Sequence, residues 1–240
     1  MKPITIKTSA IAETLQILNF LRTQDGEQMA WVVGAPGSGK TTTAEYLALQ
    51  YQGVYYRMLT NQGQFGLVKG LLNSIDNNTC RSGAEGMIKL INICRDKQLA
   101  LFIDEGEKLT YTHLETLRDI HDGAKVPVFI FGTKIHDNLH EHPQLCDRTH
   151  FHRLSLPTPQ DAKAIAKRVG SDKFPISIAD DLLELIHRNS TMLRQIKRSL
   201  AYIEAEAISN QWSVVDAAKW GDRPLLPDLY SMPDARVKTN

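Results

Sequence analysis

Two spacings of apolar residues alternate along the first two thirds of this chain. Ile11, Leu15 and Leu18 recur at helical spacing, which predicts an amphipathic helix over roughly residues 8–22. Met29-Ala-Trp-Val-Val33, Leu99-Ala-Leu-Phe-Ile103 and Val126-Pro-Val-Phe-Ile-Phe131 are short continuous apolar runs, the pattern of strands buried on both faces. Val54–Leu59 is a further β-rich run, and Phe151–Leu156 reads as a fifth strand. Helical patterns fill the intervals at 41–50, 64–76, 84–97 and 110–122. Asp25-Gly26 reads as a turn, and the polar stretch Asn77–Gly83 as a connection. Strands that alternate with helices predict an α/β fold, a five-stranded parallel sheet covered by helices.

After Pro157 the pattern changes to helices only. Thr158-Pro159 is an N-cap followed by proline at the first helical position. Ser177-Ile-Ala-Asp180 resembles a capping box, a periodic stretch runs from Thr191 to Ser209, and Ser213 is expected to cap a last helix near 214–220. The tail from Gly221 carries Pro224, Pro227 and Pro233 without periodicity and reads as extended or disordered. The expected organisation is an α/β core over 1–157, a small all-helical lid over 158–220 and a tail over 221–240.

Composition narrows the function classes. With 42% hydrophobic and 23% charged residues, the 240-residue chain lies in the ordinary globular range. Three cysteines, far apart and odd in number, suit a reducing cytoplasm, either bacterial or of a phage-infected host. Neither an apolar run of membrane-spanning length nor a signal core stands out, so no membrane partner is expected. The formal net charge of +1 lacks the basic excess of most nucleic-acid binders. The charge is unevenly spread, however, with nine Lys and Arg against five Asp and Glu over 151–200.

The candidate chemistry begins where the first strand ends. Gly34-Ala-Pro36-Gly37-Ser38-Gly39-Lys40-Thr41 fits the G-x-x-x-x-G-K-[ST] phosphate loop, with Thr42 next. Glycines let backbone N–H groups turn around phosphate oxygens, and the following helix N-terminus adds its positive end. Lys40 would reach the β- and γ-phosphates of ATP, and the Thr41 hydroxyl would ligate Mg²⁺. The third strand ends in Asp104-Glu105, which places two carboxylates at the sheet's carboxyl edge. Asp104 would hold Mg²⁺, and Glu105 would act as general base on the attacking water. That tandem favours hydrolysis over phosphate transfer by a small-molecule kinase. Glu107 reads as a solvated loop residue.

This residue pattern resembles the AAA+ ATPases over about residues 5–220. The resemblance implies that Thr133, after the fourth strand, contacts the γ-phosphate or water. It also implies that Arg148 is a finger reaching a neighbour's nucleotide, and that Arg194 in the third lid helix senses nucleotide. Trp31–Thr43, Phe102–Leu109, Phe131-Gly-Thr-Lys134 and Met192-Leu-Arg-Gln-Ile196 look more specifically like the MuB/TnsC group of transposition ATPases. Two departures stand out. About 28 residues precede the first strand, too few for MuB's extra DNA-binding domain, and Gly106 replaces the usual alanine after Asp-Glu.

The group implies ATP-dependent assembly into a ring or helical filament on double-stranded DNA. It also implies recruitment of a transposase, with a target-selection adaptor as a further candidate partner. DNA contacts would come from Thr60–Gln64, Lys69 and Asn78–Ser82, with Gln64, Lys69, Arg81 and Ser82 as candidates and weak sequence preference. A helicase loader or replication initiator and a secretion-type ATPase are the competing AAA+ readings. His136, His140, His142 and Cys146 have the spacing of a partial zinc set, but Pro143 interrupts it. His150 and His152 alternate on one strand face and read as an edge. Pro224–Tyr230 is apolar enough to dock on a partner or pack on its own lid.

Overall fold

The computed structural model describes residues 6–23, 29–75, 79–136, 139–171 and 174–226. The Asp25-Gly26 turn, Asn77 and Asn78, and the tail beyond Leu226 lie outside the described residues. Ser9–Ser155 form one compact unit, and Ile6–Thr8 with the described residues from Leu156 onward form another.

The first unit is an α/β sandwich. Its strands are β1 (Met29–Val33), β2 (Gly53–Arg57), β3 (Ala100–Asp104), β4 (Val128–Gly132) and β5 (Thr149–Arg153). They form one parallel sheet in the order β2-β3-β4-β1-β5. Composition sets that order. β1, β3 and β4, apolar but for the terminal Asp104 of β3, are buried at every position and sit centrally, while the mixed β2 and Thr-His-Phe-His-Arg of β5 take the edges.

Side-chain alternation then assigns the two faces. Trp31, Val33, Val54, Leu101, Ile103 and Ile130 point into a core shared with α3 (Gln64–Ser74), α4 (Gly83–Lys97) and α5 (Tyr111–Ala124). Val32, Phe102, Phe129 and Phe131 point the other way, toward α1 (Ser9–Thr23) and α2 (Lys40–Gln50). There Phe129 stacks on Phe102 at 5.4 Å between ring centroids. Each of these side chains contributes about 1.5–3 kcal/mol by leaving water. On the β5 edge His152 Nε2 lies 2.9 Å from Glu13 of α1, and His150 meets the Phe20 ring, so the histidine pair is structural. A short helix, α6 (Pro143–Cys146), precedes β5.

The second unit departs from the helices-only expectation. Gly170–Ser171 and Phe174–Pro175 form a short antiparallel pair (β6 and β7), and Ser177–Ile178 pairs in parallel with Val214–Val215 (β8 and β9). Ser177 is therefore a strand residue, and Ala179 takes the N-cap position of α8 (Asp180–Arg188). Asp216, not Ser213, caps the final helix α10 (Ala217–Trp220), accepting the Lys219 N–H at 2.7 Å. Thr158 does cap α7 (Pro159–Ala166), with Asp161 Oδ2 accepting its N–H at 2.7 Å in return. The 221–226 stretch is held rather than loose. Arg223 lies over the rings of Trp212 and Trp220, and its carbonyl accepts the Trp220 Nε1–H at 3.0 Å. Among the described residues no helix is long and apolar enough to cross a membrane.

Candidate functional site

The phosphate loop leaves β1 at Gly34, whose N–H donates to Gly132 O of β4 at 3.1 Å. Gly37 (φ 89°) and Gly39 (φ 101°) occupy the left-handed region that L side chains disfavour, and Gly39 caps α2. At Gly34 a Cβ would come within 2.5 Å of Ser38 Oγ, so that hydroxyl would have to turn away. Pro36 is exposed, and Ser38 Oγ is buried without a hydrogen-bond partner. The buried Lys40 ammonium folds back across the loop and donates to Gly34 O at 2.6 Å and Ala35 O at 3.0 Å. Phosphate oxygens would replace those two carbonyls as its acceptors. A glycine-turned loop, an orphaned hydroxyl and a helix N-terminus suit a polyphosphate.

Beside the loop, α2 and β3 bring together Thr41 and Asp104. The Thr41 hydroxyl donates to Asp104 Oδ2 at 2.8 Å, and Thr42 follows, exposed on α2. Hydroxyl and carboxylate oxygens are hard donors, the set that fits Mg²⁺. The sequence reading missed two side chains from β2. Register places Arg57 opposite Asp104, and Tyr55 lies two residues back on the same face. The Tyr55 hydroxyl donates to Asp104 Oδ2 at 3.1 Å. Burial, then the Asp104 charge, pushes the Tyr55 phenol well above its ordinary range. Arg57 Nη2 donates to Glu105 Oε1 at 2.5 Å, and Lys108 Nζ lies 3.4 Å from Glu105 Oε2. The Arg57 guanidinium, aided by Lys108, holds the Glu105 carboxyl below the usual carboxylate range. Glu105 itself sits at φ 61°. The Glu105 carboxylate is thus engaged by two cations.

Glu107 is half-buried, not a solvated loop residue: its Oε2 accepts the Thr133 backbone N–H at 3.1 Å. The 3-10 turn Gly106–Lys108 packs against β4, where a Cβ on Gly106 would meet Ile130 Cγ2 at 2.5 Å. The unusual glycine thus permits the approach that ties the acid loop to the end of β4.

Residues 22–139 match the AAA domain family. That stretch, just under half of the chain, is similar to AAA-family P-loop ATPase domains. The protein has an AAA+ α/β fold and is an ATP hydrolase. Its fold is that of the Thermotoga maritima RuvB Holliday junction branch migration motor, at 19% identity and a TM-score of 0.57. That match covers 89% of this chain and 67% of RuvB. A proline-to-glycine variant of the same RuvB matches at 20% identity and a TM-score of 0.57, over 90% of this chain and 68% of that one. An arginine-to-alanine variant matches at 18% and 0.58, over 89% and 67%. No curated protein sequence matches the chain.

The remaining AAA+ candidates divide by position. Thr133 is half-buried just after β4. Arg148 lies at the opposite edge of the sheet: Met29 N, at the start of β1, donates to its carbonyl at 2.7 Å. The phosphate loop follows the end of that strand, about 15 Å away at ~3.3 Å per residue. Arg148 pairs instead with Asp122 of α5 at 2.6 Å. In the second unit Arg194 is exposed on the first turn of α9 (Leu193–Ser209), where Gln195 Oε1 accepts the Thr191 and Met192 N–H groups. Of the DNA candidates, Lys69 and Arg81 are exposed. Gln64 Nε2 donates to Thr116 Oγ1 at 2.9 Å, and Ser82 caps α4 by accepting the Glu85 N–H. Among the described residues no group of three His, Cys, Asp or Glu could hold a metal ion. His142 stacks on Tyr111, and Cys146 Sγ donates to Leu139 O at 3.2 Å.

Proposed function

We propose that this AAA+ ATPase is an ATP-switched regulator of transposition that coats double-stranded DNA without strong sequence preference. The observation that carries the reading is the ion pair by which Arg57 engages Glu105, the candidate general base, within the single chain. A base so restrained suits an enzyme that binds ATP first and hydrolyses it once assembled. ATP supplies the γ-phosphoryl group at this site; Thr41 and Asp104 would hold Mg²⁺, which would offset the phosphate charge. Lys40 steadies the phosphates, Glu105 accepts the proton of the attacking water, and Thr133 orients that water or the γ-phosphate. Arg148, too far from its own loop, serves the nucleotide of a neighbouring copy, so assembly and turnover are coupled. Arg194 is the candidate nucleotide sensor. Lys69 and Arg81 supply charge to DNA phosphates, and repetition along a filament offsets the weak binding of one copy. A transposase is the partner that such a filament would recruit.

Co-sedimentation with linear duplex DNA in ATP, ADP or a slowly hydrolysed analogue tests the reading. Pelleting with ATP and the analogue, but not with ADP, is expected; pelleting that ignores nucleotide refutes it. The likeness to a branch migration motor favours a second reading, a DNA-translocating motor, which predicts ATP-dependent strand displacement on branched DNA.

A further inference from the structure

Asp104 is crowded with donors. Its Oδ1 accepts the Glu105 N–H at 2.9 Å, and its Oδ2 accepts the hydroxyls of Thr41 at 2.8 Å and Tyr55 at 3.1 Å. An ionised carboxylate offers about four lone-pair positions, two on each oxygen. The two hydroxyls therefore fill Oδ2, and one position remains, on Oδ1. Asp104 is 2% exposed, so bulk water competes little for these places. Tyr55 stands at the middle of β2 with Phe102 as its register partner, and its side chain faces the α2 side of the sheet. The strand holds that phenol as a fixed donor.

We propose that Tyr55 is a positioning residue that sets the ion preference of the nucleotide site. By filling Oδ2 together with Thr41, it confines Asp104 to accepting from a metal-bound water. Mg²⁺ dehydrates reluctantly and usually keeps several waters, whereas Ca²⁺ takes about six to eight oxygen ligands and binds carboxylates directly. A carboxylate whose outer oxygen is fully occupied serves the first ion and disfavours the second. Deleting the phenol opens one position beside the Thr41 hydroxyl, where Ca²⁺ gains a direct ligand that Mg²⁺ does not need. The inference rests on the reading of Thr41 and Asp104 as the metal-holding pair of an ATP site.

Tyr55→Phe keeps the ring and deletes the donor. Binding of a fluorescent ADP to the full chain, without metal and against titrated MgCl₂ or CaCl₂, gives an apparent dissociation constant for each ion. The ratio of the Ca²⁺ constant to the Mg²⁺ constant is expected to fall by about tenfold, the size of one net hydrogen bond to a charged group. Metal-free ADP affinity stays unchanged, while the melting temperature falls modestly with the loss of one hydrogen bond. An unchanged ratio overturns the proposal. Equal weakening of both ions and of metal-free ADP also overturns it, because that marks a merely structural tyrosine. A wild-type chain that binds ADP with neither ion overturns the nucleotide-site reading itself, and shows it before any variant is made.

Discussion

Gly106→Ala adds one methyl group at the place where the acid loop touches β4. Its Cβ would lie 2.5 Å from Ile130 Cγ2 and 3.1 Å from Phe131 O. Neither neighbour yields easily: the isoleucine is β-branched and stiff at χ1, and the oxygen belongs to a central strand. Overpacking of this kind costs about 1–3 kcal/mol. Against it, alanine narrows the unfolded ensemble and returns about 0.4–1 kcal/mol, with no penalty from φ, because Gly106 is not among the left-handed glycines. The net loss is about 0.5–2 kcal/mol, and at roughly 2–4 °C per kcal/mol it lowers the melting temperature by about 1–8 °C. Differential scanning calorimetry reads that shift. Turnover should fall as well, because a displaced 3-10 turn carries Glu107 off the Thr133 N–H. A variant that melts at or above the wild-type temperature refutes the close-approach argument.

Glu105→Gln keeps the shape of the base and removes its proton affinity, so phosphate release should drop by about 10²–10⁴-fold while equilibrium ATP binding persists. Rapid turnover in that variant would exclude Glu105 as the base. Arg57→Ala releases the Glu105 carboxylate, and basal hydrolysis should rise. Glu105 is active when ionised and Arg57 depresses its pKa, so the acid limb of the pH–rate profile should move to higher pH in this variant; an unmoved limb contradicts the assignment. His113 is buried, accepts the Thr110 N–H at Nδ1, and is pushed by burial below its ordinary 6.5. The unfolded chain then binds the proton more readily, so stability is full above about pH 6.5 and declines as pH falls below it. Melting temperatures at pH 7.5 and 5.5 should differ less in His113→Gln than in the wild type.

Local chemistry made part of this site legible. A phosphate loop demands glycine, lysine and threonine at fixed spacing in one contiguous stretch, so Gly34–Thr41 could be read without any tertiary knowledge. Asp104 followed because an apolar strand that ends in acid has one obvious place in such a sheet. Tyr55 and Arg57 stayed hidden for the opposite reason. Their roles depend on which strand lies beside β3 and in what register, and neither is encoded within six residues of β2. Glu107 looked like one more loop acid because its partner is a backbone N–H some 26 residues away. The Ser177–Ile178 and Val214–Val215 pair escaped notice because two-residue strands carry no periodicity. Asp216 outcompeted Ser213 as a cap once Val214 and Val215 were drawn into that pairing.

Two of the restraints on the acid pair, the Tyr55 phenol and the Arg57 guanidinium, come from one edge strand. β2 has a ladder on one side only, against β3, while Ile103 and Ile130 stay fully buried behind it. Edge strands open at lower free energy than sheet centres, as small cooperative units. One such fraying event withdraws the phenol from Asp104 and the guanidinium from Glu105 together, and leaves the phosphate loop standing. The rate at which amide protons exchange along Val54–Arg57 thus becomes a clock for how often both of these β2 contacts are released.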